Sequence, residues 1–284
     1  MPTGPAQQLL VAFELSLLLM GAFLVFRLAA SAGQRARWLQ TNRLPPWPVT
    51  GQEFALLLFL IVGCAFLGQS TAQLLLRNFI GHRAGLELFV YGAAFHGGGL
   101  AAWRLFPRVR RLWQFDDGAP PPAGITAPQP PWPGPAVQAV GVLLTALPLL
   151  IVGNLAWTAL LQQLGLPDEP QDLIAVFAAT KSPVILAGML VVACGLAPLN
   201  EELLFRAGLY RYCRQRLGRN RALLISGCLF GALHANLASF LPLALLGMGL
   251  ALAYEATGDI RVTVIAHALF NLNTIIFILS GLPQ

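Results

Sequence analysis

The chain has 284 residues, 56% of them hydrophobic and 11% charged, with a formal net charge of +6. Soluble domains carry about a quarter charged residues, so this composition, with a mean hydropathy of +0.67, excludes an ordinary globular domain and points to a polytopic membrane chain. The positive charge then reads as arginine in cytoplasmic loops, with no nucleic acid as partner and the lipid bilayer as surroundings.

A bilayer core of about 30 Å takes roughly 20 apolar residues per helix. Eight candidate spans lie near residues 9–30, 53–76, 85–106, 136–161, 182–199, 222–236, 238–254 and 262–281. The expected fold is therefore all-α, a membrane helix bundle of about eight transmembrane helices. The first apolar run is too long for a signal-peptide core and reads as a retained helix. Residues 117–135 hold eight prolines and cannot be helical. They divide the chain into a three-helix region, 1–116, and a five-helix region, 136–284. The fifth span carries Pro198 and runs on through Glu201 and Arg206 into "YRYCRQRLGRNR". The sixth and seventh are short and share a break at "HANLASFLP".

With eight spans, 15 of the 18 basic residues fall on one side, leaving Arg77, Arg83 and Lys181 on the other. The positive-inside rule then places both termini outside the cytoplasm. The arginine bias and compact loops suit a bacterial inner membrane protein. Cys64, Cys194, Cys213 and Cys228 are scattered and fit neither a disulfide framework nor a zinc knuckle.

Charged groups inside a span cost at least ~2.5 kcal/mol each on insertion scales, so they mark candidate function. Glu14, Glu87 and His96 in the first three helices are isolated. Glu14 and Glu87 lie near span ends, whereas His96 in "FHGGGLAAW" is near mid-span, where packing beside small glycines is its ordinary use. The five-helix region holds three constellations: Glu201-Glu202-x-x-x-Arg206, Phe230-x-x-x-His234 and His267-x-x-x-Asn271. A hairpin turning near Arg219 brings Glu201 and His234 within roughly 5 Å of one level. His267 and Asn271, four apart, share a helix face. Glu202 and Arg206 have the favourable order for an i,i+4 ion pair. Glu201 is rotated about 100° from Glu202 and is left free for chemistry.

These segments, "NEELLFRAGLY", "CLFGALH" and "GMGLALAYEATGDIRVTVIAHALFNL", resemble the CPBP intramembrane proteases, the group of CAAX-prenyl-protease-2-like (Rce1-like) and Abi-type membrane proteins. The resemblance covers about residues 136–281. It implies hydrolysis of a peptide bond in or near the membrane, in a membrane-bound or lipidated substrate. Glu201 and His234 would activate a water, His267 and Asn271 would stabilise the oxyanion, and Glu202, Arg206 and Phe230 would support them. The family is commonly described as metalloproteases. A zinc ion would need three ligands such as Glu201, His234 and His267. A metal-free glutamate mechanism uses the same residues and is slightly favoured; Asn271, a good donor and a poor zinc ligand, suits the oxyanion role. A non-proteolytic immunity or scaffold protein of the same fold is the alternative. A transporter would show paired broken helices in two related halves, and no repeat is visible.

Overall fold

The computed structural model describes residues 4–34, 36, 41–44, 46–112, 134–169 and 171–282, and among them the regular structure is entirely helical. The helices are α1 (Pro5–Ala30), α2 (Gly51–Ile80), α3 (Ala84–Leu112), α4 (Pro135–Leu164), α5 (Asp172–Ala179), α6 (Pro183–Leu217), α7 (Arg219–Ala232), α8 (Leu237–Thr257) and α9 (Ile260–Leu279). The expected all-α membrane bundle is what the structure shows.

All eight expected spans fall on helices, but six helices are long and apolar enough to cross a membrane: α1, α2, α4, α6, α8 and α9. Helix α3 has the length, at 29 residues, but its His96-Gly-Gly-Gly run and terminal arginines dilute its hydropathy. Helix α7 has 14 residues, about 21 Å at 1.5 Å each, short of the bilayer core. The proline-rich stretch lies outside the described residues except for Gly134 and Pro135, and Pro135 belongs to α4 as its first residue. Proline suits that position, where the helix has no use for its N–H.

Local sequence sets the helix limits. Thr50 and Glu53 form a reciprocal cap at the start of α2. Gly218, at φ +80°, ends α6 and turns the chain into α7. The predicted hairpin near Arg219 is therefore present.

The first three helices are packed onto the rest. Helix α1 lies on α4, and α3 lies on α6. Glu14 accepts a hydrogen bond from Asn273 Nδ2 of α9 at 3.3 Å, so it has a partner inside the bundle rather than standing isolated. The segment entering α2 is latched onto the arginine-bearing end. The Arg43 N–H donates to the Glu255 carbonyl at 2.9 Å, and Arg211 Nη2 donates to the Pro46 carbonyl at 2.9 Å. Phe54 stacks on Tyr212 with centroids 4.0 Å apart. Beneath this latch the buried Glu255 carboxylate accepts from Tyr210 Oη at 2.6 Å and pairs with Arg214 and Arg219 at 2.9 and 3.0 Å. These contacts hold α6, α7 and α8 together at one end and fix the heights of the polar residues further along them.

Candidate active site

The central stretch of α6 departs from α-helical geometry twice. Residues Val192–Leu196 and Leu203–Tyr210 are π-helical, flanking the α-helical turn Ala197–Glu202 that carries both glutamates. Pro198 accounts for much of the first. In the π pattern the Ala197 N–H bonds the Val192 carbonyl, so the next donor, to the Ala193 carbonyl, should be residue 198. Proline has no N–H. The Asn271 side chain takes that place, its Nδ2 donating to the Ala193 carbonyl at 2.7 Å. π-Segments of this kind concentrate at functional sites, and no periodicity in the sequence announces them.

The two adjacent glutamates have different surroundings. The Glu202 side chain is fully buried. Its Oε1 forms an ion pair with Arg206 Nη1 at 2.9 Å and faces His267 Nδ1 at 3.0 Å. The spacing-derived Glu202–Arg206 pair is thus present, with His267 as a further partner. The Glu201 side chain keeps 22% of its surface exposed, and its Oε2 lies 3.8 Å from His267 Nε2. One imidazole therefore stands between the two carboxylates, a nitrogen towards each.

Arg206 is also fully buried. Its Nη2 donates to the Gly247 carbonyl of α8 at 3.3 Å, and its guanidinium carbon sits 4.5 Å from the centre of the Phe230 ring. Cation–π attraction of this kind partly offsets the desolvation of the charge. Phe230 meets the His234 ring at 5.0 Å and the His267 ring at 5.6 Å, both edge-on. The phenylalanine of the F-x-x-x-H motif is the surface against which both histidines and the arginine are set.

His234 lies just beyond α7, in the turn before α8, rather than inside the helix expected to reach residue 236. Ala235, at φ +50°, completes the reversal. His234 Nδ1 is 2.8 Å from the Phe230 carbonyl. A carbonyl only accepts, so Nδ1 carries a proton, and in the neutral ring Nε2 presents the lone pair. Contacts through Phe230 and His267 link Glu201, Glu202 and Arg206 of α6, Phe230 of α7, His234 of the turn that follows it, and His267 of α9. Asn271 stands one turn further along α9, directed at the π-segment.

The reading of the sequence missed Asn200 and underweighted His96. Asn200, 4% exposed, sits 3.4 Å from His96 Nδ1 through its Nδ2. A polar residue adjoining the paired glutamates at the end of an apolar run was the available signal.

A zinc site made from Glu201, His234 and His267 is not assembled in this geometry. Among the described residues no three His, Cys, Asp or Glu side chains are grouped to hold a metal ion. The Nδ1 atoms of both histidines are engaged by Phe230 and Glu202.

Residues 183–273 match the family described as type II CAAX prenyl endopeptidase Rce1-like. This segment is Rce1-like. The match starts at Pro183, the first residue of α6, and ends within α9, so it takes in all three motifs and is narrower than the 136–281 span of the resemblance. Helices α1 to α5 lie outside the Rce1-like segment. No curated protein and no solved structure matches the chain significantly.

Proposed function

We propose that this protein is an intramembrane endopeptidase that hydrolyses a peptide bond of a membrane-associated or CAAX-like substrate with a water activated by Glu201 and His234. The observation that carries the reading is the contrast between the paired glutamates. Glu202 is sealed, with Arg206 and His267 both held at its Oε1, while Glu201 beside it is reachable and, among the described residues, has no cation at ion-pair distance other than His267.

In the reaction the Glu201 carboxylate takes a proton as water adds to the scissile carbonyl carbon. His234 Nε2, with its lone pair outward, orients that water. The oxyanion that forms needs donors already in place. His267 Nε2 meets this need as imidazolium, since its Nδ1 proton is already given to Glu202. In that form one positive charge on His267 balances the sum of Glu201, Glu202 and Arg206. Asn271 commits one amide hydrogen to Ala193 and retains the other for the oxyanion. The C–N bond then breaks, and protonated Glu201 returns its proton to the leaving amine. The products are a carboxylic acid and an amine.

In this account residues 136–284 carry the chemistry, and residues 1–116 frame it from the side of α3. The setting is the inner membrane of a bacterial cell. An apolar groove of about 510 Å³ on the outer side of α6 and α9, lined by Val191, Cys194, Leu199, Ala268 and Leu272, suits a substrate that arrives through lipid. The test is purified protein in liposomes given matched peptides ending in a CAAX sequence, with and without a prenyl group, and a transmembrane peptide. New termini are read by mass spectrometry. Cleavage of at least one, lost in Glu201→Ala, supports the reading, and cleavage that persists in Glu201→Ala overturns it.

A further inference from the structure

We infer that His96 of α3 is a positioning residue of this site, acting through Asn200 to fix Glu201. The inference rests on the reading of Glu201 as the base, and it extends the working site to a helix outside the matched segment.

Asn200 and Glu201 are consecutive in the α-helical turn between the two π-segments. This turn keeps its backbone hydrogen bonds, the Leu203 N–H reaching the Asn200 and Leu199 carbonyls, so what other helices add is a hold on its side chains and on the π-segment before it. Two clamps are present. On one side Asn271 holds the Ala193 carbonyl. On the other Asn200 is held against α3, with its Nδ2 at 3.4 Å from His96 Nδ1.

The local sequence of α3 is suited to that contact. A methyl group on Gly99 would lie 2.5 Å from Asn200 Oδ1 and 2.7 Å from Nδ2, so only glycine lets the amide lie flat on the helix. The neighbouring Gly98 faces the Cys64 carbonyl of α2 just as closely, which wedges α3 between α2 and α6. The His96 ring is steadied edge-on by Phe95 at 5.2 Å, itself edge-on to Phe66 of α2 at 5.6 Å. Asn200 is 4% exposed, and its Oδ1 is buried without a partner. Its Nδ2–His96 contact is therefore the hydrogen bond that fixes how the amide is turned. Glu201 is near enough for its charge to act on the His96 ring.

The contact has a chemical consequence. An amide N–H only donates, so His96 Nδ1 must carry the lone pair and the ring proton must sit on Nε2. Replacement by leucine removes the acceptor and frees Asn200. Replacement by asparagine returns an oxygen to about the place of Nδ1.

The experiment uses the full-length protein in liposomes and one peptide that wild type cleaves and Glu201→Ala does not. His96→Leu is expected to lower kcat by about 10- to 100-fold, the scale of a small misplacement of reacting groups, with KM unchanged. His96→Asn is expected to restore most of the rate, and Gly99→Ala to reproduce the loss. In histidine-selective ¹⁵N spectra, the signal that disappears in His96→Asn should show the Nε2-protonated form in wild type and lose it in Asn200→Leu. A wild-type kcat in His96→Leu, or His96→Asn as slow as His96→Leu, overturns the inference while leaving Glu201 as base. An Nδ1-protonated His96 in wild type overturns it by a readout that does not depend on proteolysis or on the folding of His96→Leu.

Discussion

Glu202 and His267, 65 positions apart, meet through Oε1 and Nδ1 at 3.0 Å inside a region from which water is excluded. The same oxygen is ion-paired with Arg206 at 2.9 Å. A carboxylate buried this far is stable only with its countercharges, and here it uses them to aim an imidazole at its own neighbour, Glu201. The arrangement joins α6 to α9 and sets the distance between the two glutamates and the ring that separates them.

Arg206→Ala removes the countercharge and leaves Glu202 buried beside His267 alone. Breaking a buried pair in this way costs about 3–5 kcal/mol. The expected result is a large fall in folded yield and melting temperature in detergent, accompanied by loss of activity. A mutant that melts like wild type but is inactive would assign Arg206 to the chemistry instead.

Phe230→Ala takes away the surface shared by His234, His267 and Arg206. A fully buried phenylalanine replaced by alanine costs about 3–5 kcal/mol. Thermal unfolding should show that loss, and kcat should fall in any protein that remains folded, because neither histidine keeps its seat. An unchanged kcat would mean that the rings are held by other contacts.

Asn271 and Pro198 make a paired test. If Asn271 chiefly supplies the donor that Pro198 lacks, Asn271→Ala should slow the reaction and destabilise α6, and adding Pro198→Ala should recover part of both. The restored N–H can then bond the Ala193 carbonyl or renew the α-helical ladder. If Asn271 instead acts mainly on the oxyanion, Asn271→Ala should cost about 10²–10³ in rate, with no recovery in the double mutant. Rates and melting temperatures of the two single mutants and the double mutant separate the two roles, and because Asn271 holds both, the predicted result is recovery of the melting temperature with only partial recovery of the rate.

Much of this site was legible in the sequence because helix periodicity converts spacing into position. The four-residue spacing gave the Glu202–Arg206 pair, and the one-residue step gave the separate exposure of Glu201. The turn at Gly218 brought Phe230 opposite α6. Other features depend on departures from periodicity. The π-segments around Ala197–Glu202 follow from Pro198 together with an acceptor far away on α9, and spacing alone does not reveal that partnership. The reach of His96 to Asn200 depends on how closely Gly99 lets two helices approach. The eight apolar runs were all helical, but run length overstated α7, which ends at Ala232 and leaves His234 in a turn. The proline-rich boundary lies almost wholly outside the described residues.

Metal dependence is a separate expectation. Because the Nδ1 atoms of His234 and His267 are committed within the protein and no three-donor group is assembled, extended dialysis against a chelator should leave the cleavage rate unchanged. Elemental analysis of the purified protein should find no stoichiometric zinc. One zinc per chain, lost together with activity in His267→Ala but retained in Asn271→Ala, would require His267 to be a ligand.

The claim on which everything else depends is that Glu201 is the base. The direct measurement is the single-turnover cleavage rate of a membrane-bound peptide by wild type and by Glu201→Gln, each reconstituted in liposomes and shown to share one melting temperature. Glutamine keeps the shape of the side chain and cannot take the proton. Loss of a general base lowers the rate by about 10²–10⁴-fold, and a fall of that size in Glu201→Gln, with folding intact, is the predicted result. Cleavage by Glu201→Gln at the wild-type rate would contradict the account.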